Sequence, residues 1–237
     1  MALSGADGSL DWWCVPNLDS PPLFDRLLDP QDGGWFSITP SQDFEVARAY
    51  RPESNVLETI FTTATGKARM VESLNSGSAG RLPWCELARR IEGMEGEVRL
   101  DIMLRLGHRA GTASPYMQKV AGHDVFHVGD VLGLFLRSSG VNIEHLGDDG
   151  ATANLTIKAG ETELLAIVAG EGEPLVAPSL EEISARINGS DEEWRTWANL
   201  IQYDGPYREA LVRNALALKL LLFSPSGAIA AAATNLR

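Results

Sequence analysis

The feature that most constrains the fold is a series of short stretches in which apolar and polar residues alternate, separated by turn residues, between residues 10 and 168. Side chains point to alternate faces of a β-strand, so a period of two residues indicates strands with one buried face. The predicted strands are 10–15, 36–39, 44–51, 56–63, 67–74, 84–92, 97–106, 125–128, 132–137, 151–158 and 162–168. No long helical pattern interrupts them. The sequence therefore predicts a mainly β fold, a large antiparallel β-sandwich (a super-sandwich) over residues 1–177.

Helical signals replace the strand pattern after residue 177. Ser179 and Glu182 have the spacing of a capping box, in which each side chain satisfies a backbone N–H of the other residue. Ser190 and Glu193 repeat this spacing. We therefore predict two short helices, the first ending near residue 187 and the second near residue 201.

A last helix is predicted over residues 206–223, because Pro206 suits the first turn of a helix. Leu211, Leu218 and Leu222 share one side of this helix, and only one polar side chain follows residue 214 before its end. A helix that is apolar on all sides is normally buried on all sides. We therefore expect Pro206, Leu211, Leu218 and Leu222 to line a domain interface.

Two segments of the chain resemble a known family. YDGPYREALVRNALALKLLLFSPSGAIAAAATNL (203–236) and DGSLDWWCVPNLDSPPLFDRLLD (7–29) are similar to bacterial glycoside hydrolase family 15 proteins, the glucoamylase and trehalase-like enzymes. Weaker similarity covers residues 50–74 and 86–98. In that family an N-terminal β-sandwich precedes a catalytic α/α barrel that contains the paired catalytic glutamates.

The resemblance implies that this chain corresponds to the sandwich and, over residues 178–237, to a helical linker with the first barrel-type helix. The catalytic barrel is absent, so no catalytic residue can be assigned and enzyme activity of this chain alone is not expected. The implied role is to support or dock the missing barrel. The other expected partner is a second copy of the chain, through self-association of the C-terminal helix.

The alternative interpretation is a stand-alone carbohydrate-binding or regulatory module without catalysis, with an α-glucan or another oligosaccharide as its ligand. Aromatic rings offer a flat surface to the apolar face of a sugar. Trp35, which follows a double glycine, is the candidate for this contact. The other tryptophans lie in periodic segments, where core packing is the usual role.

Other candidate sites have simpler interpretations. Glu171 and Glu173 are separated only by a glycine, and such acids are usually solvated turn charges rather than a hydrolytic pair. His123 and His127 lie about 13 Å apart along a strand, too far to share a metal ion. We therefore expect neither a metal site nor a cofactor.

Charge and cysteine content restrict the partners and the compartment. The net charge is −12 and the pI is about 4.8, which argues against unaided binding to nucleic acid or to an anionic membrane. Cys14 and Cys85 are too few for a disulfide framework, and we expect two buried free thiols. The N-terminus has no basic region followed by an apolar run, and the longest apolar run is shorter than the roughly 20 residues of a membrane span. The expected localisation is cytoplasmic.

Overall fold

The computed structural model describes residues 1–76, 82–172, 174–223 and 226–231. Within these residues the predicted fold class is confirmed, since fourteen strands form one continuous antiparallel network that two helices follow. The strands are β1 (Ala2–Ser4), β2 (Ser9–Cys14), β3 (Pro22–Phe24), β4 (Trp35–Pro40), β5 (Phe44–Tyr50), β6 (Leu57–Thr63), β7 (Gly66–Leu74), β8 (Cys85–Arg105), β9 (Pro115–Val120), β10 (His123–Val128), β11 (Val131–Arg137), β12 (Asn142–Gly147), β13 (Gly150–Lys158) and β14 (Thr162–Glu171). The helices are α1 (Leu180–Ala198) and α2 (Arg208–Leu220), and a ribbon of β15 (Leu222–Phe223) and β16 (Ala228–Ile229) comes after them. The division into domains 1–177 and 178–237 stays a prediction.

Strand β8 is 21 residues long and belongs to both layers of the sandwich. Its first half pairs with β7 and β14, in a layer with the order β5-β6-β7-β8-β14-β11-β10-β9. Its second half pairs with β4 and β13, in a layer that also contains β1, β2, β3 and β12. One strand therefore connects the two layers covalently.

The hairpin predicted between residues 92 and 97 is wrong, because Gly93 and Gly96 lie inside β8 where it passes from one layer to the other. The pairing with β7 shifts register here, which is a bulge that bends the strand without reversing it. Gly96 has a φ of +58°, and a Cβ on Gly93 would lie 1.9 Å from the carbonyl oxygen of Lys158. Both positions therefore require glycine for a reason other than a hairpin turn.

The main core lies between the two layers. Phe36, Ile38 and Leu104 come from one layer, and Phe61 and Phe135 come from the other. Each of these side chains is almost completely buried. Alternation along each strand places these residues inward and polar residues outward, as expected for a sandwich.

A charged side chain crosses this core. Arg89 of β8 is completely buried, and its Nε donates a hydrogen bond to Glu72 Oε2 of β7 at 2.7 Å. Its Nη1 reaches the other layer and donates to the backbone oxygens of Phe36 (2.8 Å) and Gly8 (3.1 Å). The guanidinium carbon also lies 4.5 Å from the centre of the Phe36 ring. Arg89 therefore ties the two layers together.

Replacing Arg89 by methionine (Arg89→Met) would leave the Glu72 carboxylate buried without its cationic partner. We expect the free energy of unfolding to fall by about 3–5 kcal/mol. Lys67→Met is the control, because the Lys67–Glu95 pair (3.0 Å) lies at the surface and such pairs contribute below about 1 kcal/mol. Urea denaturation followed by tryptophan fluorescence measures both variants, and similar losses in the two would contradict the role of Arg89.

Helix α1 is one continuous helix of 19 residues, so the prediction of two short helices is wrong. The capping box at its start is confirmed: Ser179 Oγ accepts the Glu182 N–H at 3.2 Å, and Glu182 Oε2 accepts the Ser179 N–H at 2.8 Å. Ser190 caps nothing, since it is buried within α1 and its Oγ accepts the Ser76 N–H at 2.9 Å. Ile183 and Ile187 pack on the outer face of the β7-β8-β14-β11 layer, and this packing overrides the local capping signal.

Cys14 and Cys85 form no disulfide bond with each other, as predicted, although only Cys14 is fully buried. Desolvation raises the pKa of the Cys14 thiol to about 11. Cys85 is half-buried, and its Sγ donates to the backbone oxygen of Pro16 at 3.2 Å.

The raised pKa makes Cys14 a poor nucleophile. At pH 8 we expect native Cys14 to be alkylated by iodoacetamide at least about a hundredfold more slowly than free cysteine, because only about one thiol in a thousand is ionised. Mass spectrometry of the labelled peptide measures this rate, and the urea-unfolded chain is the control. Labelling of native Cys14 at the free-cysteine rate would contradict its burial.

Candidate domain interface

Helix α2 packs against α1 through one side only. Val212 and Leu216 of α2 are buried and contact Ala198 near the end of α1. Trp194 and Trp197 of α1 surround this small cluster as partly buried neighbours. In the described part of the chain neither helix has the length and hydrophobicity that a membrane span requires.

Two arginines fasten α2 to the turn between β5 and β6. Arg213 Nη1 donates to the backbone oxygen of Ser54 at 2.7 Å, and its guanidinium carbon lies 4.1 Å from the centre of the Tyr50 ring. Partial burial of the guanidinium at this contact lowers the pKa of Arg213 by desolvation. Arg208 Nη1 donates to Glu53 Oε1 at 2.7 Å. Side-chain contacts therefore attach α2 directly to the sandwich, in addition to its covalent connection through α1.

The opposite side of α2 is open and mostly apolar, with Asn214 as its polar residue. Tyr207 is 75% exposed, Leu211 is 38% exposed and Leu218 is 53% exposed. Spacings of four and seven residues place these three side chains, which we call the apolar stripe, along one helix face. Between them lies a shallow groove of about 470 Å³, which Ala210 and Ala215 also line. Exposed apolar side chains in one row mark interaction surfaces more often than scattered ones do.

The four residues predicted for a domain interface, Pro206, Leu211, Leu218 and Leu222, are all exposed. The helix is shorter than predicted, because Pro206 precedes it and Leu222 lies in β15. Their part in an interface stays a prediction. Sequence reasoning missed Tyr207, although its spacing of four from Leu211 was the available signal.

A buried ion pair holds α1, and through it α2, on the sandwich. Glu86 of β8 is almost fully buried, and its two carboxylate oxygens accept hydrogen bonds from Arg186 Nε (2.8 Å) and Nη2 (2.7 Å) of α1. Asn75 Nδ2 (2.8 Å) and Trp84 Nε1 (3.1 Å) also donate to it. The hydrogen bonds with Glu86 raise the pKa of Arg186. No local pattern predicts this pair, because its members are 100 residues apart.

Trp35, the candidate for sugar contact, is half-buried at the outer face of β4. The guanidinium carbons of Arg26 and Arg105 lie 4.9 Å and 5.4 Å from its ring centre. A sugar that stacked on this ring would compete with these cation–π contacts. Sugar binding at Trp35 stays a prediction.

The remaining candidate groups do not assemble into a site. Glu171 Oε1 lies 3.9 Å from Arg109 Nη2, while Glu173 lies outside the described residues. His123 and His127 are exposed on β10. Among the described residues there is no group of three or more His, Cys, Asp or Glu side chains that could hold a metal ion.

Comparison with known proteins gives the family. Residues 1–194 match the family described as "Trehalase-like, N-terminal", and the chain belongs to this family. It is similar to the trehalase of Thermoplasma acidophilum, with 28% identity over 98% of this chain and 40% of that protein. The trehalases of Mycolicibacterium smegmatis (27%, covering 98% and 38%) and Mycobacterium tuberculosis (28%, covering 96% and 36%) are also similar. The chain spans about two fifths of the length of the curated relatives it matches.

The Glu86–Arg186 pair can be tested by Arg186→Met, which would remove the cation and leave a buried carboxylate with two neutral donors. We expect a loss of about 3 kcal/mol in the free energy of unfolding. Arg195→Met is the control on the same helix, because its side chain is more exposed and its partner Asp191 retains Arg51 at 3.2 Å. Chemical denaturation measures both, and an Arg186→Met loss below about 1 kcal/mol would contradict the anchoring role.

Proposed function

We propose that this chain acts as the non-catalytic N-terminal part of a trehalase-type enzyme of glycoside hydrolase family 15, and that its apolar stripe docks the catalytic α/α barrel. The open stripe on α2 is the observation that carries the proposal. The coverage of the relatives supports it, because about three fifths of each trehalase has no counterpart in this chain. Choice of substrate, including any preference for trehalose over an α-glucan, would then belong to the barrel.

The energetics favour docking at the stripe. Full burial of an exposed leucine side chain contributes about 1.5–3 kcal/mol, and covering the exposed fractions of Leu211 (38%) and Leu218 (53%) would contribute about as much as one such leucine. Val212, Leu216 and Arg213 already hold the other side of α2, so little ordering entropy is lost when a partner binds. The stripe can therefore act as a preformed docking surface.

The barrel is preferred as the occupant over a second copy of the chain. The relatives place their additional sequence in the same polypeptide, where its effective concentration at the stripe would be high. A second copy would have to cover the stripe with the same three side chains around a two-fold axis. The lack of a disulfide bond between Cys14 and Cys85 also supports a reducing compartment such as the cytoplasm.

The double variant Leu211→Ser/Leu218→Ser tests the docking surface. We would compare it in the isolated chain and in a chimera in which this chain replaces the matching N-terminal part of the Thermoplasma acidophilum trehalase. In the isolated chain both side chains are partly exposed, so we expect a loss of no more than about 1 kcal/mol in the free energy of unfolding for the two substitutions together. In the chimera we expect a further loss of about 1.5–3 kcal/mol and reduced trehalose hydrolysis, because the parts of both leucines that are exposed in the isolated chain would be buried there.

Leu200→Ser is the matched control, since Leu200 is exposed but lies outside the stripe. A chimera that does not fold around this chain, or in which the double variant and the control behave alike, would contradict the proposal. Light scattering of the isolated chain tests whether a second copy of the chain occupies the stripe. A wild-type dimer that is replaced by a monomer in the double variant would assign the stripe to a second copy.

A stand-alone carbohydrate-binding or regulatory module is the second candidate function, and the partly exposed Trp35 ring is the observation that favours it. Binding of maltooligosaccharides by a monomer of the chain, abolished by Trp35→Ala, would support this function. Unchanged binding in Trp35→Ala would exclude Trp35 as its site.

A further inference from the structure

Strand β5 is the edge strand of its layer and is exposed on both faces. It pairs with β6 along its whole length, and in the described part of the chain no other strand pairs with it. All six of its residues 45–50 are exposed, so neither face of the strand is buried. In an antiparallel pair about half of the backbone N–H and C=O groups point away from the neighbouring strand. Strand β5 therefore presents a row of backbone donors and acceptors that a further strand could bind.

The other edge strands have features that hinder pairing with a second chain. Strand β9 begins with Pro115 and contains Lys119. The register of β12 with β13 shifts between Ile143 and His145, and β1 has only three residues. Proline, lysine, bulges and short length are means by which natural edge strands avoid association. Strand β5 has none of these four features, since its sequence FEVARAY contains neither proline nor lysine and its register with β6 is regular.

The charges along β5 are divided between its two halves. Asp43 and Glu45 lie beside or within the first half, and Arg48 and Arg51 lie within or beside the second. Two copies that pair in the antiparallel direction therefore bring the acidic half of each strand beside the basic half of the other. A parallel pair would place like charges side by side, which is destabilising. The charge order of β5 is thus complementary to its own reverse.

Arg48 is the cation that this half of β5 can offer to a partner. Its Nη1 donates to the Ser4 backbone oxygen at 2.8 Å and its Nη2 contacts Ser4 Oγ, but within the described residues it forms no ion pair with a carboxylate. Arg51 already pairs with Glu58 (2.8 Å) and Asp191 (3.2 Å). A carboxylate from a neighbouring chain would therefore find Arg48 without a competing acid.

Small apolar residues occupy the centre of β5, between the two charged halves. Val46 is 41% exposed, and Ala47 beside it is also exposed. A two-fold axis passing near these residues would bring Val46 and Ala47 of both copies together. Most homo-oligomers are two-fold dimers, in which one surface patch contacts the same patch of the other copy. The order of charged, apolar and oppositely charged residues along β5 satisfies this requirement.

We propose that β5 is a homodimer interface, through which two copies of the chain pair their β5 strands in the antiparallel direction about a two-fold axis. Pairing would join the β5-containing layers of both copies into one continuous sheet. The partner is a second copy because the charge order that fits β5 is that of β5 itself. This surface is separate from the apolar stripe on α2, and the inference does not rest on docking of the barrel.

Sedimentation equilibrium of the full chain tests the interface. We expect a monomer–dimer equilibrium with a Kd on the order of 100 μM, because a single pair of strands forms a small interface. Val46→Lys should weaken dimerisation by about tenfold or more, since it places like charges at the centre of the pair. Val120→Lys is the matched control, because Val120 is a valine of similar exposure (43%) on edge strand β9 and its substitution should leave the Kd unchanged.

A charge exchange tests the antiparallel order. Glu45→Lys and Arg48→Glu should each weaken self-association by about tenfold, because each brings like charges together across the two-fold axis. An equimolar mixture of the two variants should recover the wild-type Kd, since the new cation of one variant then lies beside the new carboxylate of the other. Recovery in the mixture also shows that both variants are folded.

Three results would overturn the proposal. The first is a wild-type chain that sediments as a monomer at about ten times the expected Kd. The second is a dimer that Val46→Lys and Val120→Lys affect equally, or that Leu211→Ser/Leu218→Ser dissociates while Val46→Lys does not, since the contact would then lie elsewhere. The third is a mixture of the charge variants that associates no better than either variant alone. Docking at the stripe is measured separately in the chimera, so either proposal can fail without the other.

Discussion

The structure depends on strand β8, which has a buried charged side chain on each of its two faces. Arg89 points from β8 into the core, where it joins Glu72 to the backbone of the opposite layer. Glu86, three residues earlier, points outward and holds Arg186 of α1. Burial of each pair is costly unless both partners are present, so loss of one partner should destabilise the contact between the layers or between sandwich and helix. The helices are therefore placed by the same strand that joins the layers.

This placement explains why α2 can remain apolar on its open side. Arg213 and the Val212–Leu216 contact hold the helix from one side, and the connection through α1 fixes its distance from the sandwich. An unsupported helix of 13 residues would be marginal in water. Here tertiary contacts supply the stability, so the stripe can serve as a surface for another domain without first having to fold on it. Docking of another domain on the stripe stays a proposal.

Local sequence patterns predicted most of the strands, the capping box at Ser179 and the apolar character of α2, because each depends on neighbouring residues. They did not separate the bend at Gly93 from a hairpin turn, since both use glycine and only the partner strands decide between them. Ser190 has the spacing of a cap but is buried by packing against the sandwich. For the candidate interface, the stripe was largely predictable from helical spacing, whereas the Glu86–Arg186 anchor joins residues far apart in sequence and was not.

The central claim is that the sandwich holds α2 in place while its apolar stripe stays open. Hydrogen exchange of the backbone amides of α2 in the isolated chain tests this most directly. The account predicts protection within about tenfold of that in α1, together with solvent-accessible Leu211 and Leu218 side chains. Exchange of the α2 amides at the rate of an unfolded peptide, while α1 stays protected, would contradict it.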